Sequence, residues 1–230
     1  MKNIFLLIIL IICDLPAFCI NPDELSREIE EWKDDCYAQS KKNGFSSRTE
    51  FYTEKFYNII SKGPEISQAL ILEFKQGNGT VVVFFPKLFK AVFDSSFDSK
   101  DKKWLFTDYP KYIYYPPGFH LNKVKNNDCI WIYWWDDGRK LTPEIFERKY
   151  VAYQEAKKSG REDEIKEMYA NLQNMGIIIL PNLLDKIENG SNDLIPMFCY
   201  LSDQNDLKNT EDCKKWWKEN SIRYKDLLNY

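Results

Sequence analysis

The chain has 230 residues, which is long enough for one or two domains with a buried core. Aromatic residues make up 16% of it, with seven Trp and only nine Gly, a composition more typical of bulky helix packing than of a turn-rich β-sandwich. The net charge is −3, from 32 basic and 35 acidic residues that are interspersed. Since no run of Lys or Arg marks a basic groove, we expect no nucleic-acid partner.

Residues 1–19 have the pattern of a signal peptide. Lys2 is the positive residue, Ile4–Ile12 form the apolar region, Pro16 interrupts it, and Ala17 and Cys19 are small residues before a cleavage point near Cys19 or Ile20. The apolar run is too short to cross a bilayer, which needs roughly 20 residues. We therefore expect an exported protein, periplasmic or secreted, with no integral membrane span after cleavage.

A lipid anchor on Cys19 is the alternative location. Phe18, directly before it, is bulkier than lipoprotein processing usually accepts.

Four cysteines follow the signal peptide: Cys36, Cys129, Cys199 and Cys213. Exported chains often form disulfides, and we expect any bond to join Cys199 to Cys213, on what the pattern predicts to be consecutive helices. The alternative is that each is a small buried residue. The only histidine is His120, so neither a zinc site nor any other metal or cofactor site is predicted.

Residues 20–93 are predicted to form N-terminal helical hairpins. Asn21-Pro22 begins the first helix, whose inner face carries Leu25, Ile29, Trp32 and Cys36. A capping-box pattern at residues 47–50 predicts a second helix over residues 51–61.

Two segments share one pattern of glycines and apolar residues. One runs from Gly63 to Gly77 and the other from Gly176 to Gly190, and both predict an amphipathic helix with a glycine at each end. The helices predicted before the two segments also correspond, with Phe56 matching Tyr169. The repeated unit is therefore a helical hairpin, that is, two helices joined at a glycine. The second segment also contains Pro181 in its first turn. The matched apolar pairs are Ile66 and Ile179, Leu70 and Leu183, Ile71 and Leu184, and Phe74 and Ile187.

Two short apolar runs leave helix and strand open. Residues 81–85 are β-branched and aromatic, which suits a buried strand, whereas their position after the first repeated segment favours a helix. Residues 130–135 contain three Trp. Either an α-helix or a β-strand would place several aromatic side chains of this run on one face.

Residues 94–128 show no lasting periodicity but are rich in aromatic residues and proline. We expect an ordered excursion packed on the helices, because so many aromatics argue against disorder. Aromatic rings with a polar group are common in binding surfaces, so this segment is the predicted partner surface. Its candidate contacts are Tyr109, Tyr112, Tyr114, Tyr115 and Phe119.

Residues 129–230 are predicted to form a C-terminal helical region. Thr142-Pro143 begins a helix that Gly160 ends, residues 192–201 form another, and Thr210 caps the last one. Trp134, Trp135, Trp216 and Trp217 are expected in the core.

The second repeated segment and its surroundings resemble HEAT/armadillo-like helical repeats. The residues that carry the likeness are Met175-Gly176-Ile177, Leu180-Pro181, Leu183-Leu184 and Ile187-Glu188-Asn189-Gly190. The wider stretch, with Trp134–Pro143, Ala156–Gly160, Leu194–Pro196 and Cys213–Asn220, is similar to exported, mostly uncharacterised bacterial proteins. The resemblance implies an all-α fold, either a short α-solenoid or a closed helical domain, because a solenoid normally stacks three or more repeats. It brings no catalytic residues.

Two functions remain open from the sequence. The first is an exported, non-enzymatic module that binds a protein or peptide. The alternative is an exported hydrolase with a carboxylate-based site near residues 94–128. Asp136-Asp137 after an aromatic run resembles a sugar-cleaving pair, but neighbouring side chains on a helix point apart, so a charged helix end is favoured.

Overall fold

The structure is a computed structural model that describes residues 21–43, 51–91, 130–136 and 138–229. Within these ranges the regular secondary structure is helical and contains no strand, which confirms the all-α prediction. Its α-helices are α1 (Pro22–Asn43), α2 (Glu54–Ser61), α3 (Ser67–Lys75), α4 (Phe85–Phe89), α5 (Ile130–Asp136), α6 (Thr142–Ser159), α7 (Glu162–Gln173), α8 (Leu180–Glu188), α9 (Ile195–Ser202), α10 (Thr210–Asn220) and α11 (Lys225–Leu228).

Short 3-10 turns lead into several of these helices. They span Gly63–Ile66, Gly79–Phe84, Gly138–Leu141, Ile177–Ile179, Asn192–Leu194 and Ser221–Tyr224. The two ambiguous runs are thereby resolved as helical, because residues 81–84 lie in a 3-10 turn and residues 130–135 lie in α5. A 3-10 turn suits the Val-rich run, since branched side chains crowd a longer α-helix.

The first helix starts where it was predicted, whereas other helix starts differ by one to three residues. Asn21 does cap α1, its side-chain oxygen accepting the Asp23 amide at 3.1 Å. The second helix begins at Glu54 rather than residue 51, because Thr53 is its N-cap. The last predicted helix is capped by Asn209 rather than Thr210, and it ends at Asn220 before a separate turn and α11. Ser, Thr and Asn are all good N-caps, so adjacent candidates compete.

The two repeated segments have the same local geometry, with counterparts 113 positions apart (176 − 63). Gly63 and Gly176 have φ 81° and 78°, and Gly77 and Gly190 have φ 103° and 98°. These are left-handed values that glycine adopts at no steric cost.

The helix ends of the two segments also match bond for bond. The amide of Gly77 donates to Phe74 O at 3.1 Å, and that of Gly190 donates to Ile187 O at 3.0 Å. One residue later, Asn78 and Ser191 donate to the carbonyls of Glu73 and Lys186 at 3.0 and 2.9 Å. Both ends are therefore Schellman motifs, as the predicted glycine caps require. Pro181 lies in the first turn of α8, also as predicted.

A single hydrophobic core joins the described parts of the chain. It includes residues from both repeated segments, and its largest fully buried side chains are Trp32, Trp131 and Trp134. Trp135 is buried too, while Trp216 and Trp217 are half-buried and pack against the core. The core prediction is therefore confirmed for Trp134 and Trp135, whereas Trp216 and Trp217 lie at the edge of the core.

The C-terminal helices fold back onto the first repeated segment. The turn Ser221–Tyr224 and α11 pack against Gly63–Ile66 and α3. The guanidinium of Arg223 bonds the buried carboxylate of Glu65. The guanidinium of Arg139 stacks on the Trp135 ring, 3.7 Å from its centroid. It also donates a hydrogen bond to Leu227 O at 2.8 Å and so satisfies a carbonyl at the end of α11.

No helix in the described part of the chain has the length and apolar character needed to cross a membrane.

Candidate functional site

A groove lies between α9, α10 and the loop that joins them. Its volume is about 670 Å³, within the range of roughly 300–1,000 Å³ seen for ligand sites. We call it the α9–α10 groove. Its lining residues are Asn192, Ile195, Pro196, Leu207, Lys208, Asn209, Thr210 and Glu211.

The floor of the groove is apolar. Ile195 and Pro196 begin α9, and Leu207 is a half-buried residue of the connecting loop. The thiol of Cys199 lies 3.4 Å from the Leu207 carbonyl, to which it donates a weak hydrogen bond. This contact joins the loop to α9.

The opposite wall is the start of α10. Asn209 caps this helix, accepting the Asp212 amide at 3.0 Å on its side-chain oxygen. The carboxylate of Asp212 accepts the backbone amide of Lys208 at 2.9 Å. These reciprocal bonds fix the loop-to-helix junction, as in a capping box. Ring contact between Phe198 and Trp216, with centroids 5.7 Å apart, packs α9 on α10 beneath it.

Asn192 belongs to a turn that α6 holds in place from the other side. Its neighbour Asp193 accepts hydrogen bonds from Tyr153 Oη at 2.6 Å and from Lys157 Nζ at 2.7 Å. Tyr150 Oη and Ser191 Oγ lie 2.6 Å apart. The turn therefore has two side-chain anchors on α6, and Asn192 is presented to the groove between them.

The charges of this anchor are well defined. Burial, followed by the hydrogen bond to Asp193, raises the pKa of Tyr153, so its phenol remains a donor at neutral pH. Burial alone would raise the pKa of Asp193, but the bonds from Lys157 and Tyr153 outweigh it and hold that pKa below its usual value. Asp193 is thus a carboxylate with its charge already satisfied by α6.

The predicted partner-binding residues lie outside the described part of the chain. These are Tyr109, Tyr112, Tyr114, Tyr115 and Phe119, and His120 and the segment assigned to the alternative hydrolase lie there as well. Asp136 is described, and its carboxylate pairs with Lys75 of α3 at 2.6 Å. That contact agrees with the prediction of a charged helix end.

Cys199 and Cys213 are free thiols in the structure, on consecutive helices as predicted. Cys213 is fully buried and Cys199 packs against the same core. Their disulfide stays a prediction. Among the described residues, no group of three or more His, Cys, Asp or Glu side chains is arranged to hold a metal ion.

The groove was missed by the sequence reasoning, although one signal for it was present. Asn209 and Asp212 are three residues apart, a spacing typical of the start of a helix. The helix that they begin, α10, forms one wall of the groove. The floor has no such signal, because Leu207 meets Ile195 and Pro196 only through the packing of α9, α10 and the loop between them.

Comparisons with protein-family models, with curated proteins and with solved structures find no match to this chain.

Proposed function

We propose that this chain is an exported, non-enzymatic helical protein that binds a peptide or a peptide segment of another protein in the α9–α10 groove. The observation that carries the proposal is the groove itself, with an apolar floor of three residues and polar side chains around it. Such a combination gains affinity from apolar burial and specificity from a few hydrogen bonds.

The composition of the groove favours binding over catalysis. Its polar side chains are two amides, one hydroxyl, one ammonium and one carboxylate. The carboxylate, that of Glu211, is paired with Lys214 at 3.0 Å. The hydroxyl of Thr210 donates to Asn192 Oδ1 at 3.2 Å, and an amide oxygen is not a general base that would activate it as a nucleophile.

The fold proposal follows from the two repeated segments. Their shared glycine dihedrals and Schellman bonds support the view that they are copies of one HEAT-like hairpin unit. Because the C-terminal helices pack back on the first copy, we propose a closed helical domain rather than an open solenoid. The groove lies directly after the second copy, where the chain leaves α9.

A peptide selection tests the binding proposal. Residues 20–230 would be immobilised and used to select binders from a displayed random peptide library, with affinities then measured by calorimetry. We expect Leu207→Asn to weaken the selected peptides at least tenfold, because burying a leucine contributes about 1.5–3 kcal/mol. Leu72→Asn on α3 is the matched control, since Leu72 is an exposed leucine outside the groove. Failure to select any peptide, or equal affinity in Leu207→Asn, would refute the proposal.

The export proposal rests on the pattern of residues 1–19 and has its own test. N-terminal sequencing of the protein recovered from outside the cytoplasm should begin near residue 20. A lipid-modified Cys19 would support the anchored alternative, and an intact Met1 would contradict export by this route.

A further inference from the structure

The polar groups of the α9–α10 groove have unused hydrogen-bond donors. A primary amide has one oxygen acceptor and two N–H donors. In Asn209 the oxygen is occupied by the Asp212 amide, and in Asn192 it is occupied by the Thr210 hydroxyl. The two amide nitrogens take part in none of the hydrogen bonds within the described chain. Each therefore offers donors to a ligand.

Lys208 adds a third donor at the same place. Its backbone amide is used by Asp212, but its ammonium forms no ion pair with any described residue. The groove thus offers N–H donors from three side chains over a floor formed by Ile195, Pro196 and Leu207. A fitting ligand must supply acceptors and an apolar group close together.

The charges near the groove are mixed in sign. Glu211 lines the groove and is paired with Lys214 at 3.0 Å, Asp212 accepts the backbone amide of Lys208, and Lys208 itself carries a positive charge. Since opposite charges lie side by side, a ligand needs no net charge of its own, and neutral carbonyl oxygens can accept from the amide donors.

Main-chain carbonyls are neutral acceptors, and their availability depends on conformation. In an α-helix all but the last four carbonyls are occupied by the helix's own amides. In an extended segment they remain free, and alternate side chains point to one face. We propose that the α9–α10 groove binds an extended peptide, whose main-chain carbonyls accept from Asn192 and Asn209 while an apolar side chain lies on the floor. This inference rests on the proposed function and specifies its ligand.

One substitution removes a donor while keeping the fold. Asn209→Asp retains the side-chain oxygen that caps α10, and Asp is as good an N-cap as Asn. It replaces the NH₂ group by an acceptor, which repels a ligand carbonyl. Asn58→Asp, at an exposed position on α2, adds the same charge outside the groove and serves as the matched control.

The experiment titrates the ¹⁵N-labelled mature chain with two probes and follows its amide resonances. One probe is a capped heptapeptide of alternating serine and leucine. The other is a helical peptide of the same length, in which one Lys and one Asp form a lactam bridge and the remaining residues are serine and leucine. We expect the extended probe to shift resonances of residues 192–211. Its affinity should fall at least tenfold in Asn209→Asp and stay unchanged in Asn58→Asp. The melting temperature of both variants should equal that of the wild type.

The outcomes separate this inference from the proposed function. Unchanged affinity in Asn209→Asp, or tighter binding of the helical probe, would overturn the extended-peptide inference. If the library peptides also depend on Leu207, the peptide-binding proposal stands even then. If neither probe shifts the groove and the library yields no Leu207-dependent binder, both ideas fail together.

Discussion

The ammonium of Lys90 lies 2.6 Å from the carboxylate of Asp203, and these two residues hold corresponding positions, 113 apart (203 − 90), in the two halves of the chain. Each directly follows a helix, α4 or α9, in left-handed backbone with φ 51° and 58°. Lys90 also donates to the carbonyl of Tyr200 at 2.6 Å. Its charge therefore caps the C-terminus of α9, which the helix dipole favours.

Replacing Lys90 by Met should lower the free energy of unfolding by about 1–2 kcal/mol, the usual worth of a charged group bonded to helix-end carbonyls. Because the side chain of Asp203 is 82% exposed, its ion pair contributes little of this. Urea denaturation followed by circular dichroism measures the change. Lys87→Met, at an exposed position of α4, is the control and should have no effect. Equal losses in the two variants would mean that Lys90 does not cap α9.

Gly176→Ala should destabilise the protein far more than Gly190→Ala. Both glycines have positive φ, so each substitution incurs a backbone cost of about 1–3 kcal/mol. At Gly176 the new methyl would also lie 2.1 Å from Phe89 O, whereas at Gly190 it meets no atom within 4 Å. We expect the Gly176→Ala variant either to be unfolded or to be several kcal/mol less stable than the Gly190→Ala variant. Thermal denaturation measures the difference. Similar melting temperatures would contradict the close approach of the two chain segments.

Asp193→Asn should be destabilising at neutral pH and nearly neutral in acid. The folded pKa of Asp193 lies below that of the unfolded chain, about 3.9. The Asp193 carboxylate therefore contributes fully to the free energy of unfolding at pH values above its pKa in the unfolded chain. That contribution is lost as the pH falls through its pKa in the folded protein. With a third of the side chain exposed, we expect about 1 kcal/mol or less. Urea denaturation of both proteins between about pH 2.5 and 6 measures the difference. Asp34→Asn, at an exposed position of α1, is the control for the loss of one carboxylate.

Cys213 should react slowly with iodoacetamide in the folded protein at pH 8. Burial raises the pKa of its thiol to about 11, and only the thiolate is a strong nucleophile. Burial also raises the pKa of Cys199. Pulse alkylation and peptide mass mapping, with the urea-unfolded chain as reference, give the rates. Rapid folded-state labelling of Cys213 would contradict its burial. A linked 199–213 peptide from exported protein would instead confirm the predicted disulfide.

The sequence predicted the helix ends well where they depend on local backbone chemistry. Gly77 and Gly190 terminate helices because a left-handed residue completes the Schellman bonds, and that requirement is visible in the sequence. The start of α10 was one residue off, because Asn209 and Thr210 are neighbouring candidates for the same cap. Local rules of this kind predict that a segment is a helix more accurately than they predict the residue at which the helix begins.

The groove could not be predicted from such rules. Leu207 and Pro196 are eleven positions apart (207 − 196), and their meeting depends on how α10 packs on α9 through Phe198 and Trp216. The same holds for Asp193, whose partners on α6 lie 40 and 36 residues away. Side-chain contacts at that separation leave no periodic trace in the sequence.

The contact of Gly176 with Phe89 has a consequence for the order in which the chain can fold. Phe89 is fully buried, and the backbone that covers its carbonyl is made only after a further 87 residues (176 − 89) have been added. The end of α4 therefore emerges during synthesis before the segment that packs against it. A nascent chain of this length has to keep that helix end from other molecules until its second half arrives.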